Sequence, residues 1–353
     1  MSKKQLLGAE LSDLKVYFQE NGEKPFHASQ IIDWLYRKEE VSIEKMTNLS
    51  LSLRNKLQAD WEAGLLHLVR MQESNDGETI KFLWELSDSK LVESVLIKSD
   101  DRRTVCVSSQ VGCPARCAFC ASGRNGFFRN LSANEIIAQV YQINQFLRKQ
   151  DERVSHIVYM GMGEPFRNYE EVVKSIHILT HPEQMGISQR RITVSTVGVV
   201  EGIKRFSQED FKVNLVLSLH APNQKLRQKI IPYAREYPLE DILAAMDEYA
   251  CKTKRDITFE YTLLQGINDQ EEQAHELVKL LKGKQCTVNL IPYNPVEGLK
   301  LKRPDTAAIR QFREILEAGK VVNTCRYTKG DDIAAACGQL ALQETKSSPL
   351  AVI

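Results

Sequence analysis

The spacing of apolar positions changes near residue 79. Before it, Leu11, Leu14, Val16, Tyr17 and Phe18 form a loose helical stripe that Asn21-Gly22 stops. Ile31, Ile32, Trp34 and Leu35 form a second stripe after Pro25, and Leu49, Leu51, Leu53 and Leu57 a third. Acidic and basic residues balance here, which predicts a small helical accessory domain over residues 1–75 with solvated outer faces. From residue 79 the period is that of strands: TIKFLWEL, LVESVLIK and TVCVSS, the first two predicted as a hairpin around Ser87-Asp88-Ser89. Apolar strands then alternate with amphipathic helices. The strands fall at 156–161, 191–196, 213–220, 257–264, 286–293 and 321–327. The helices begin near Ser132, Asn168, Gly198, Leu239, Asp269 and Pro304. Repeated strand–helix units with near-continuous apolar strands imply a parallel sheet covered by helices. About six units are too few for a closed eight-fold barrel. The predicted fold class is therefore α/β, a partial (βα)6 barrel over residues 76–342 with a hairpin extension. The tail, 343–353, carries no pattern and is expected to be disordered.

With 353 residues, 42% hydrophobic and 26% charged, the composition is that of a globular chain long enough for one large domain with an appendage. No stretch approaches the ~20 apolar residues of a membrane span, and MSKKQLLGAE lacks the apolar run of a signal peptide. A cytoplasmic protein without a membrane partner is expected. The net charge of +1 removes the bulk argument for a polyanionic ligand but leaves local basic clusters. These are Arg102-Arg103, Arg124 and Arg129, Arg190-Arg191, Lys225/Arg227/Lys229 and Lys300/Lys302/Arg303. Several follow predicted strands on the side where barrels place their chemistry, and would neutralise phosphates there. Taken singly, each pair fits solvated surface charge.

Eight cysteines in a reducing compartment point to metal ligands, catalytic thiols or small core residues. Cys113, Cys117 and Cys120 form C-x3-C-x2-C in the loop GCPARCAFC, between a predicted strand and a helix. A zinc site would want a fourth Cys or His nearby in sequence, and none is present. Three thiolates suit a 4Fe-4S cluster with one iron left open. The spacing, with Phe119 before the last cysteine, resembles the radical S-adenosylmethionine (SAM) superfamily, whose fold is a partial barrel. The resemblance implies that the open iron chelates SAM and that one electron from the cluster cleaves it to a 5'-deoxyadenosyl radical. In MGMGEP, Gly161 and Gly163 allow close backbone approach, and Gly163 and Glu164 match the superfamily motif that holds the SAM ammonium. Ser195, then Ser218, Leu219 and His220, then Asn294 end successive strands. Each alone fits a loop residue satisfied by backbone; together they form a candidate ring for the ribose and carboxylate of SAM.

The stretches VESVLIKSDDRRTVCVSSQVGC, GFFRNLSANEI, GMGEP, TVSTVGVV, SLHAPN, NLIPYNP and KGDDIAAACGQL resemble, in order, the RlmN/Cfr family of adenosine methyltransferases. KPFHASQIIDWLY is similar to that family's accessory domain, so the resemblance runs from about residue 10 to 342. Adenine carbons 2 and 8 have no lone pair with which to attack the SAM methyl group. The resemblance therefore implies a route through protein sulfur that consumes two SAM molecules. Cys337 takes a methyl group from the first; a radical made from the second removes hydrogen from that methyl, and the carbon radical adds to the base. Cys106 then attacks the Cys337 sulfur, and the disulfide leaves the methylated base. Glu93 matches the family's proton acceptor. Without the resemblance, Cys106 reads as a buried strand cysteine and Cys337 as a residue at a helix end. Cys251, Cys286 and Cys325 match no motif and are expected in the core.

Phe128, Phe166-Arg167 and Tyr327 depart from the commoner family residues but touch neither the cysteines nor Glu93. The motifs are closer to RlmN than to Cfr. The expected activity is thus methylation of adenosine carbon 2 in the peptidyl-transferase centre of 23S rRNA and in tRNA beside the anticodon. The alternatives are a Cfr-like carbon 8 enzyme and a non-catalytic iron-sulfur protein that binds RNA or senses redox state. An electron donor such as flavodoxin or ferredoxin and a monomeric state complete the expectation.

Overall fold

The computed structural model describes residues 3–340 except 125 and 327, so the expectations for the 343–353 tail and for Tyr327 lie outside the described residues. The amino-terminal unit contains β1 (Lys4–Gln5), α1 (Leu11–Glu20), α2 (Phe26–Tyr36), α3 (Leu51–Asp60) and β2 (Trp61–Glu62). Its helices bury Leu14, Phe18, Ile31, Ile32, Leu35, Leu53 and Leu57, the stripes that helical spacing picks out. Val16 and Leu51 are exposed and stand off the stripe. Within the unit the Tyr36 hydroxyl donates to Leu7 O (2.7 Å), and the unit is docked on the remainder by the Tyr141 hydroxyl donating to Leu35 O (2.9 Å).

The helical reading fails at β3 (His67–Glu73), which pairs antiparallel with β4 (Thr79–Glu85). HLVRMQE shows no alternation because neither face of this edge strand is well buried. β4 pairs with β5 (Leu91–Ser99) as the expected hairpin, and β5 with β6 (Arg102–Cys106). A small second hairpin, β7 (Gln110–Gly112) with β8 (Phe127–Asn130), closes the base of the cysteine loop.

Six strand–helix units follow from β6 onward. β6 leads to α4 (Ala133–Arg148), β9 (His156–Tyr159) to α5 (Tyr169–Thr180), and β10 (Ile192–Thr196) to α6 (Val200–Phe206). β11 (Asn214–Ser218) leads through the short α7 (Gln224–Ile230) to α8 (Leu239–Thr253). β12 (Ile257–Leu263) and α9 (Glu271–Leu281), then β13 (Cys286–Pro292) and α10 (Thr306–Ala318), complete the series before an edge strand, β14 (Val322–Cys325). The sheet order is β14-β13-β12-β11-β10-β9-β6-β5-β4-β3, parallel from β14 to β6 and antiparallel beyond. The ends do not pair with each other, so the barrel is open, as a (βα)6 count predicts. The segment after β14 crosses the opening. Lys329 pairs with Glu78 at 2.7 Å and donates to Lys98 O, while Asp332 accepts from Asn75 N.

Candidate active site

The cysteine loop sits at the carboxyl ends of the parallel strands, held on three sides. Cys113 N donates to Gly126 O (3.0 Å), Ala118 N to Ile230 O at the end of α7 (2.8 Å), and Ala121 N to Gly338 O (2.7 Å). Phe119 meets the His220 ring edge-on at 4.8 Å. Burial pushes the Cys113 thiol up to about 12 and the Cys117 thiol well above its ordinary range, and neighbouring members of the trio raise both further. Burial raises Cys120 as well. Protonated thiols this close are poorly solvated, and metal coordination would stabilise them as thiolates. Among the described residues no three such side chains close on one point as the ligands of a single ion would. Three cysteines presented by one loop fit a 4Fe-4S cluster with one iron left open.

The loop after β9 lies beside it. Gly163 has φ +113, and a Cβ there would fall 2.7 Å from Ser109 Oγ, so this glycine lets the loop pack on the chain leading into the cysteine loop. Glu164 is 2% exposed. Its carboxylate accepts from Val197 N (2.7 Å), Thr196 Oγ1 (2.8 Å) and Phe166 N (3.0 Å). Burial nonetheless raises its pKa to about 7, with those donors opposing. Ser195 and Ser218 join through their hydroxyls at 3.1 Å. His220 is buried at φ +56, and its Nδ1 accepts from Thr262 N at 2.9 Å. Burial, with the nearby Arg227 charge, drops its pKa to about 3, so the ring is neutral with its proton on Nε2. Asn294 is already committed within the protein: Nδ2 donates to Cys337 O (3.1 Å), and Oδ1 accepts from Arg303 and Thr328 (both 2.9 Å).

Cys106 lies on the barrel face of β6, opposite Val95 of β5, and packs with Val95, Met162, Ala335 and Leu340. Burial raises its thiol to about 12. Cys337 rides on the segment that crosses the opening, fastened by Asn294 and by Ser122 Oγ donating to Leu340 O (2.8 Å). The residue is exposed to the mouth of the barrel, yet protein on most sides raises its thiol far above the ordinary range; Glu260, Cys106 and Cys120 add to the rise. The two cysteines far apart in sequence thus share one site with the trio. Glu93, buried on the same face of β5 as Val95, pairs with Lys81 of β4 at 3.4 Å, and Lys81 also donates to Ala334 O in the Cys337 segment.

Comparison with known proteins decides what this arrangement belongs to. Residues 4–62 match the ribosomal RNA large subunit methyltransferase N-terminal domain, and 107–278 the radical SAM superfamily. The chain is 69% identical over 328 residues to a protein of Protochlamydia amoebophila named probable dual-specificity RNA methyltransferase RlmN 2, covering 93% of this chain and 92% of that one. It is 47% identical over 335 residues to the Bacillus licheniformis protein named probable dual-specificity RNA methyltransferase RlmN, covering 95% and 92%. The crystal structure of a radical SAM methyltransferase from Sphaerobacter thermophilus superposes with a TM-score of 0.92 at 43% identity, over 95% of this chain and 98% of that one. The chain belongs to the RlmN family of radical SAM RNA methyltransferases. As a radical SAM protein it uses a 4Fe-4S cluster and SAM.

Within this RlmN-family site the basic rim needs correction. Arg102-Arg103 begins β6 and Arg190-Arg191 precedes β10, so both lie at the amino ends of the barrel strands, away from the cysteines. Arg103 pairs with Glu152, Arg129 with Asp88 and Glu135, and Arg303 is spent on Tyr293 O and Asn294. Arg227 is fully buried. Charge density in sequence cannot tell a surface cation from one folded inward. Cys251 is exposed on α8, not core, while Cys286 and Cys325 are partly buried. Two site residues carried no motif. Glu260, buried on β12, lies 3.4 Å from Arg326. Its charge raises, and that of Arg326 lowers, the thiols of Cys106 and Cys337. The available signal was a lone carboxylate within the otherwise apolar and hydroxylic ITFEYTLL.

Proposed function

We propose that this RlmN-family chain methylates carbon 2 of adenosine in 23S rRNA and in tRNA, through a methylated Cys337 that Cys106 resolves. The relatives' names, with dual specificity for RNA, support the two substrates. Cys113, Cys117 and Cys120 hold the cluster; Gly163, Glu164, Ser195, Ser218, Leu219 and His220 hold SAM, and Asn294 adds the one Nδ2 hydrogen that its bond to Cys337 O leaves over. When bound, these groups supply the methyl group and, after one-electron reduction by a flavodoxin or ferredoxin, a radical. The chain's residues do the rest. Cys337 forms the sulfur–carbon bond that carries the methyl group to the base. Glu93 takes the proton from the adenine carbon. Cys106 breaks the sulfur–methylene bond by forming a disulfide with Cys337.

The observation that carries this reading is that Cys106 packs with Ala335 and Leu340, on either side of Cys337 in the crossing segment, that Cys106 and Cys120 both bear on the Cys337 thiol, and that Glu93 lies on the strand adjoining Cys106. An iron-sulfur protein that only binds RNA or senses redox state has no need of such a pair. Phe127 and Phe128 stand exposed on the hairpin flanking the cysteine loop, where an unstacked base could rest on them. We infer a cytoplasmic monomer; among the described residues no helix is long and apolar enough to cross a membrane. The test is a Cys106→Ala variant, which should accumulate RNA covalently attached to protein, while Cys106→Ala/Cys337→Ala should not. Free RNA from both would refute the resolving role.

A further inference from the structure

Arg227 is the least expected group in the molecule. It is the fourth residue of α7, in a surface-looking run, QKLRQKI, yet is fully buried. Its Nε donates to Leu219 O (3.1 Å) and its Nη2 to Val197 O (2.5 Å) and Ser218 O (3.2 Å), carbonyls at or just past the ends of β10 and β11. Nη1 has no hydrogen-bond partner, and among the described residues no carboxylate forms an ion pair with the group. Removing a full charge from water costs several kcal/mol unless an opposite charge meets it. Carbonyl dipoles hold the guanidinium in place but do not neutralise it. The acidic groups that act on it most are Cys117 first and Glu164 second. Glu164 already accepts from three protein donors. The cysteine loop is moreover fastened to the helix that carries Arg227, through Ala118 N and Ile230 O at 2.8 Å.

We propose that Arg227 is the buried counter-charge of the cluster, its free Nη1 directed at the anionic sulfur of Cys117. The proposal rests on the ligand assignment above. Reduction brings one electron from the flavodoxin- or ferredoxin-class donor, so the cluster and its three thiolates gain one negative charge while no proton moves. A fixed cation alongside favours that reduced state. Net charge and hydrogen bonds to sulfur are among the terms that set the potential of such clusters. Arg227 would thus make the cluster easier to reduce. Because its other donors seize the backbone after Val197 and Ser218, the same side chain fixes the cluster relative to the strands that carry the SAM-binding candidates.

The test is an EPR-monitored redox titration of anaerobically reconstituted full-length protein without SAM, comparing wild type with Arg227→Gln, Arg227→Met and Arg227→Lys. Gln and Met remove the charge; Met also fills the space with apolar atoms, a replacement that buried charges often tolerate in folding. Both should shift the potential to more negative values, and Lys should hold it near that of wild type. SAM affinity, measured alongside by calorimetry, should change much less. An unmoved potential in Gln or Met overturns the proposal, as does a loss of SAM affinity without a shift, which would assign Arg227 to the SAM carboxylate. Should Gln and Met fail to fold, Lys decides alone, since it loses the fork but keeps the charge: a negative shift there overturns the proposal. A wild type without a cluster signal refutes the ligand assignment itself, and the proposal with it.

Discussion

Single residues carry the chemistry, and they were unequally visible in the sequence. Cys113, Cys117 and Cys120 are legible because their spacing is local, and one loop presents all three. Cys117→Ala should abolish the broad iron-sulfur absorbance of anaerobically purified protein; an unchanged spectrum with stoichiometric zinc would sink the cluster. Glu164 was legible as a motif, but its state was not, because burial decides it. Its pKa is raised to about 7, so the carboxyl is protonated below that pH and ionised above. Holding the SAM ammonium needs the anion. SAM affinity should therefore rise as pH climbs from about 6 to 8. Glu164→Gln should flatten that dependence and weaken binding by roughly tenfold or more, the worth of one charge-assisted hydrogen bond. Calorimetric titration across pH checks both, and an unaltered slope in the variant would remove Glu164 from SAM binding. The unliganded fold has the opposite dependence: a raised carboxyl pKa gives stability below the ordinary carboxylate range that is lost as pH rises through about 7. Arg227 was misplaced because α7 is a helix of only about two turns, whose inward side is set by the loops around it.

At the level of elements, the parallel strands and their helices follow from period and breaker residues, and all six units stand where the pattern puts them. The missed pieces are short or two-sided. β3 shows no alternation because it forms the sheet edge, and β7 with β8 is only three residues against four. The docking of the amino-terminal unit was also invisible, since it depends on a close approach between distant segments. A Cβ on Gly8 would lie 2.6–2.7 Å from Asn134 Cβ, Cα and N at the start of α4. Gly8→Ala must therefore push two backbones apart, which overpacking studies price at about 1–3 kcal/mol. Thermal unfolding and limited proteolysis near residues 63–66 should show a lower midpoint and faster cleavage. Wild-type behaviour in both would mean that this contact does not hold the unit in place.

The whole molecule is an open barrel whose gap is crossed by the segment bearing Cys337, so the proposed methyl carrier comes from the last described residues while its proposed partner, Cys106, lies on the first barrel strand. That geometry joins Cys106 to Cys337 across more than half the chain, which explains why neither looked reactive alone. Its near-neutral charge hides no simple basic face: several of the arginines that sequence grouped as a rim are paired, buried or at the far end of the barrel. RNA recognition must rest on fewer cations, with Lys225, Lys229, Lys300 and Lys302 still candidates, together with the exposed hairpin aromatics. The decisive measurement is nucleoside mass spectrometry of 23S rRNA and tRNA from cells with and without the gene. 2-Methyladenosine should be present in both RNAs with the gene and missing without it. 8-Methyladenosine in its place, or RNA unchanged by the deletion, would contradict the assignment.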